Sequence, residues 1–158
     1  MASFENVRTS YRPDRIMTLF VGESAPHGGT FFYNKDSGLF RELRKAFQGD
    51  DHFLDHFKRK GFYLDDLAIE PVNHLSDKDR RAFCRASISS FVERLKDYKP
   101  QAVVILLRRI ESMVVQAMDE AGVSCVTYCT PYPGLGHQLR FHQAMAEIVP
   151  NLPGSNTR

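Results

Sequence analysis

The chain has 158 residues, of which 42% are hydrophobic and 25% charged, with a formal net charge of +2. That length suits one domain spanning 1–158, able to bury about two thirds of the surface its unfolded chain would expose. The composition is that of an ordinary globular protein, no apolar run approaches the roughly 18 residues of a membrane span, and so small a net charge does not by itself argue for an anionic partner.

The opening stretch MASFENVRTSYRPDR lacks the apolar core of a signal peptide, so a cytoplasmic location is expected, and residues 1–14 are expected to form a flexible end. A first buried strand is predicted over 17–22, a short run rich in β-branched and aromatic residues. Leu39, Leu43, Ala46 and Phe47 then recur at helical spacing behind Ser37, a candidate N-cap. The second strand is predicted over 62–67. A long helix follows over 76–97: SDKD supplies a capping serine and an acid-rich first turn, Phe83, Ala86, Phe91 and Leu95 share a face, and Pro100 lies beyond the end. A third strand is predicted over 102–107, a helix over about 110–120 closed by Gly122, a fourth strand over 124–128 and a last helix over about 138–148. Residues 150–158 are expected to fray.

This alternation predicts a three-layer α/β/α fold around a four-stranded parallel sheet joined by right-handed crossovers. Open sheets of this kind bind ligands at the carboxyl ends of their strands. The segments to inspect are therefore 22–33, 65–74 and 129–140.

The first of these, within VGESAPHGGTFFY (21–33), carries Glu23, Ser24, Pro26, His27, two glycines, Phe31, Phe32 and Tyr33. Paired glycines let a backbone approach a ligand closely, and an exposed aromatic offers a flat face for stacking. Neighbours in an extended segment point opposite ways, so one of Phe31 and Phe32 is expected in the core and the other in the site. With neither GxGxxG nor GxxxxGK[ST], the loop is no phosphate loop.

In FYLDDLAIEPVNHL (62–75), Asp65 and Asp66 interrupt an apolar run. A buried carboxylate is costly unless paired or hydrogen-bonded, so one of the two is expected to enter the site, or else to cap a turn or pair with an arginine. CTPYPGLGHQLRFH (129–142) sets two prolines and two glycines before a helix, with His137 near its start and Arg140 one turn later. That is either a ready anion site or a rigid turn.

Other constellations are weaker. His52 and His56 have metal-ligand spacing without a third ligand nearby, so a solvated helix face is favoured and no metal is expected. Ser24 and His27 lack the GxSxG elbow and an orienting acid, and neither the first nor the last loop holds a lysine for Schiff-base chemistry. Cys84, Cys125 and Cys129 form no CxxC pair, which fits a reduced protein and argues against a four-cysteine cluster.

Together the three loops resemble the uracil-DNA glycosylase superfamily, in order and spacing, from about residue 16 to 148. GESAPHG (22–28) is similar to its first motif, a water-and-base loop, and the aromatic of TFFY (30–33) matches its base-stacking phenylalanine. YLDDL (63–67) matches the end of strand two, where an asparagine usually reads the uracil edge, and PYPGLGH (131–137) matches the last motif, usually HPS with an intercalating residue. The chain departs from that pattern at four places. Ser24 stands where the best-known branch orients its attacking water with an aspartate, and Pro26 where a tyrosine excludes the thymine methyl. Asp66 or Asp65 replaces the asparagine, and Tyr132 the last histidine.

The resemblance implies a monofunctional DNA glycosylase that excises uracil by hydrolysis, initiating base excision repair. Asp66 in place of the asparagine and Pro26 in place of the tyrosine gate predict relaxed specificity toward hypoxanthine and xanthine, and the resemblance implies DNA as partner, no cofactor and a monomeric state. Phe31 or Phe32, Asp66 or Asp65, Tyr132 and Pro26 would hold the flipped base. Leu135 or Leu139 would wedge into the gap it leaves, with Pro133, Gly134 and Arg140 against the DNA. Backbone N–H groups of 23–25, with His27 or His137, would face the charge developing on the base. Ser24 and backbone carbonyls would hold the water, and Glu23 is the nearest carboxylate. Rival readings are a binder of uracil-containing DNA with little turnover, a nucleotide or nucleoside hydrolase on the same scaffold, and a structural domain with no site.

Overall fold

The apolar runs pair as four parallel strands, β1 (Thr18–Gly22), β2 (Phe62–Asp66), β3 (Ala102–Ile105) and β4 (Val126–Cys129), in the spatial order β2-β1-β3-β4. The computed structural model describes residues 3–154. Strands β1, β2 and β3 are buried along their whole length, as strands covered on both faces must be. Around them, among the described residues, run α1 (Phe4–Ser10), α2 (Gly38–Ala46), α3 (Phe53–Arg59), α4 (Asp77–Ala86), α5 (Ile88–Tyr98), α6 (Glu111–Ala121) and α7 (Gln138–Ile148). None of these helices is long and apolar enough to cross a membrane.

The order of strands decides which helices share a face. From β1 the chain passes through α2 and α3 to β2; it then returns across β1 through α4 and α5 to β3, and through α6 to β4. Helix α5 packs on α6, and α2 on α7. Right-handed crossovers running in opposite directions put these two pairs on opposite faces, giving the three-layer α/β/α architecture. His142 Nε2 and Glu42 Oε2, 2.6 Å apart, tie α7 to α2. The direction of winding reverses between β1 and β3, the point at which open sheets leave a crevice.

Local chemistry sets the helix boundaries. Ser37 and Ser76 cap α2 and α4, accepting hydrogen bonds from the N–H groups of Phe40 (3.1 Å) and Asp79 (3.2 Å). The single helix expected over 76–97 is two helices. At Ser87 the side-chain hydroxyl donates to the Phe83 carbonyl at 2.8 Å, a back-bond that bends helices.

Both ends of the chain carry packed structure where flexible ends were expected. Ser3 caps α1 through the Asn6 N–H (3.1 Å), and Arg8 on that helix is buried. At the other end Leu152 is buried and the Thr18 hydroxyl donates to the Pro153 carbonyl at 3.2 Å. Residues 1–2 and 155–158 of those expected ends lie outside the described residues.

The two edges of the sheet differ. Along β2, the buried Tyr33 hydroxyl donates to the Leu64 carbonyl (2.9 Å) and accepts from the Leu64 N–H (2.7 Å), occupying backbone groups that another strand would use. Along β4, Val126 and Thr127 are exposed and no further strand pairs among the described residues. Replacing Tyr33→Phe strands the buried Leu64 N–H, while the Leu64 carbonyl keeps its hydrogen bond from Arg8. A loss of about 1–3 kcal/mol in unfolding free energy is expected, read from urea denaturation monitored by circular dichroism.

Candidate functional site

A cavity of about 200 Å³ opens at the carboxyl ends of the strands, at the β1–β3 reversal. Gly22 to Pro26 come to it from β1, Asp66 from β2, Leu106 and Leu107 from β3, and Tyr132 to Gly134 from the turn after β4. Phe31, Phe32 and the first turn of α2 (Ser37 to Leu39) close one wall, while Asn73 and Arg80 reach in from the segment after β2. A larger hollow, about 500 Å³, lies beside Phe47, Phe53, Phe57 and Phe62 near the amino end of β2, away from the carboxyl ends of the strands.

The two aspartates part company because adjacent strand residues face opposite ways. Asp65 turns to α5, where its Oδ2 meets Arg94 Nη1 at 2.7 Å and the Tyr98 hydroxyl at 2.6 Å. Asp66 lines the cavity. Arg8, from α1, serves both: it lies 3.2 Å from Asp65 Oδ1 and 3.3 Å from Asp66 Oδ2, and donates to the Leu64 carbonyl at 3.2 Å.

Their titration diverges accordingly. Burial opposes ionisation of Asp65, yet the charges of Arg8 and Arg94 and the Tyr98 hydrogen bond outweigh it and hold the carboxyl below its ordinary value. Burial dominates at Asp66 and, with the neighbouring charge of Asp65, pushes its carboxyl up to about 6 against the pull of Arg8. Gly22 makes room for this carboxylate, since a Cβ there would come within 2.5 Å of Asp66 Oδ1.

Glu23 is also buried, and its side chain is engaged. Arg80 Nε donates to both carboxylate oxygens (3.0 and 2.9 Å), Arg80 Nη2 donates again to Oε1, and Cys84 Sγ lies 3.7 Å from Oε2. Burial and the charge of Glu23 push the Cys84 thiol up to about 11, which keeps it protonated and inert.

Phe31 and Phe32 are both buried, against the expectation that one would stand free. The segment does not stay extended: Phe31 has strand-like dihedrals, but Phe32–Asn34 turns into a 3₁₀ helix, so alternation fails. Phe31 stacks in parallel on Phe4 with centroids 4.3 Å apart, and Phe32 joins the aromatic cluster with Phe40 and Phe57. Both still line the cavity.

Around the opening, the Ser24 hydroxyl accepts from the Val72 N–H (3.2 Å), and the His27 N–H donates to Asn73 Oδ1 (2.8 Å). The His27 ring rests 4.0 Å from that of His74, on the exposed surface and outside the cavity lining. Tyr132 packs over Gly134, where a Cβ would meet its ring at 2.9 Å. Leu135 is 88% exposed and holds a left-handed backbone (φ 53°); Leu139, His137 and Arg140 are exposed beside it. Among the described residues no cluster of three or more histidine, cysteine or acidic side chains is arranged to hold a metal ion.

Of the residues singled out in the sequence, Glu23, Ser24, Pro26, Phe31, Phe32, Asp66, Tyr132, Pro133 and Gly134 come together in one cavity. Asp65 is directed elsewhere, and His27, His137, Leu135, Leu139 and Arg140 lie outside its lining. Sequence reading missed Arg8, Asn73 and Arg80. Asn73 sat in the inspected segment as an amide within VNHL, whereas the two arginines bore no local signal of their long-range pairing. Compared with protein-family models and with curated proteins, the chain matches none.

Asp65→Asn removes the charge that balances Arg8 and Arg94. A loss of about 3–5 kcal/mol at pH 7 is expected, as for other buried pairs broken on one side. Because the Asp65 carboxyl titrates below its unfolded value of 3.8, this contribution is present at neutral pH and fades only as the pH falls below that value. Denaturant melts of both proteins at pH 7 and pH 3 check the magnitude and the convergence.

Proposed function

We propose that this protein is a DNA glycosylase of the uracil-DNA glycosylase type, which flips a deaminated base into the cavity and hydrolyses its N-glycosidic bond. The observation that carries the reading is convergence: the loops bearing the family-like motifs meet at a single small cavity with an exposed leucine at its lip. At about 200 Å³ the cavity falls below the roughly 300–1,000 Å³ of sites for drug-sized ligands and suits one small heterocycle.

Each part then has a task. Extraction of a base costs a few kcal/mol, least at a mispair. Leu135 adopts a conformation disfavoured by about 1–2 kcal/mol for a side chain with a Cβ, and its side chain finds no burial in return. Such a residue is well placed to enter the stack as an apolar wedge. Arg140 and His137 at the start of α7 face the flanking phosphates. Inside, Phe31 and Phe32 wall the base, and Asp66 and Asn73 present polar atoms to its edge. Water is held by Ser24 and backbone groups, since both buried carboxylates at the cavity already serve arginines. Slow chemistry is expected for that reason, which also keeps the rival reading of a uracil-DNA binder in play.

Asp66 sets the pH behaviour. Protonated, it offers a donor to uracil O4 and an acceptor to N3–H; ionised, it only accepts and repels O4. Uracil excision is expected to fall as the pH rises through about 6, and Asp66→Asn to flatten that limb. Single-turnover cleavage of oligonucleotides containing uracil, hypoxanthine or xanthine, developed with alkali from pH 5 to 8, tests this. Stable binding without strand scission for any of them would instead support the binder.

Leu135→Ala is expected to slow excision from duplex far more than from single strands, where no stacked gap needs filling. Comparing the two substrates under single-turnover conditions measures it.

A further inference from the structure

Two carboxylates and one cation line the cavity: Glu23, Asp66 and Arg80. A base that leaves its sugar takes the electron pair of the broken C1′–N bond and departs as an anion. Water adds to C1′ and gives up a proton to solvent, and the base later takes one up. Charge developing beside Glu23 and Asp66 is unfavourable unless a donor meets it, and that donor is needed most in a site without a free general base.

We infer, resting on the glycosylase reading, that Arg80 is the catalytic residue that receives the negative charge of the departing base, with Glu23 as the positioning residue that aims it. Glu23 grips Arg80 through Nε and Nη2. Nη1 has no protein partner among the described residues, 24% of the side chain is exposed, and Arg80 lines the cavity. The grip fixes the plane of the guanidinium while leaving one of its amino groups for a ligand, so donation needs no rearrangement when charge appears. An arginine does not surrender its proton in a protein. Its help is hydrogen bonding and charge, independent of pH, unlike the titrating edge of Asp66.

The leaving group reveals this role. 5-Fluorouracil is a more stable anion than uracil and needs less help to depart. Single-turnover excision of both bases is to be compared for the wild type, Arg80→Ala and Arg80→Lys. Arg80→Ala is expected to lose about 10²–10³-fold on uracil, the scale of removing one transition-state donor. It should lose far less on 5-fluorouracil, and added guanidinium should restore part of the uracil rate. Arg80→Lys keeps a cation against Glu23 and covers the case in which the alanine variant does not fold. It should show the same bias in milder form, because one ammonium cannot both hold Glu23 and reach the base. Equal losses on the two bases without guanidinium rescue, or no loss at all, overturn the role while leaving the glycosylase reading intact. A wild type that excises neither base brings down both.

Discussion

One arginine holds the end of strand β2 together. Asp65 and Asp66 are neighbours on a fully buried strand and face opposite ways, Asp65 toward α5 and Asp66 toward the cavity. Such carboxylates need cations in reach, and beyond Arg94, which serves Asp65 alone, Asp66 needs one of its own. Arg8 meets that demand from α1, touching each acid and the intervening backbone through Leu64. The same contact docks α1, and with it Phe4, which backs the Phe31 ring of the cavity wall. A helix formed by the first residues of the chain thus becomes part of the site's masonry, and the cavity's shape follows from an electrostatic requirement located beside it.

The cavity repeats this arrangement on its other side. Glu23 and Asp66 each lie within it and each is held by an arginine that comes from elsewhere in the chain. The consequences differ with depth. Arg8 is sealed from solvent, so its pair fixes structure and leaves Asp66 poised near neutrality. Arg80 is partly open, so its pair leaves donor capacity free at the cavity. Similar ion pairs therefore support, in one case, a carboxyl that titrates at the cavity and, in the other, a constant charge.

Much of the fold was legible because it rests on local pattern. Short apolar runs marked four strands to within about two residues, three of them buried as expected and β4 half-open at the sheet's edge, and Ser37 and Ser76 acted as the caps their positions suggested. The parallel sheet followed from the alternation of elements, and with it the ends where a ligand would sit. What escaped has no periodic signature. Arg8 and Arg80 lie 58 and 57 residues from their carboxylates, and only tertiary structure brings them there. The helix break at Ser87 depends on one hydroxyl choosing a carbonyl, and the burial of both Phe31 and Phe32 on a turn that cancels strand alternation. The aspartate pair was half readable: alternation required one to turn inward, and the position of Arg94 and Tyr98 settled which.

The unequal borders of the sheet carry a consequence for how copies of this chain meet. Where Tyr33 sits on Leu64, a phenol has taken the place of a neighbouring strand, and lateral growth stops there. Among the described residues the β4 border has no such plug, and Val126 lies open on it. Strand addition, whether by a sticky unfolded neighbour or by a partially opened twin, is thereby confined to one side and to a ribbon only four residues long. Such a border can nucleate a brief encounter but offers too little length to propagate a stack.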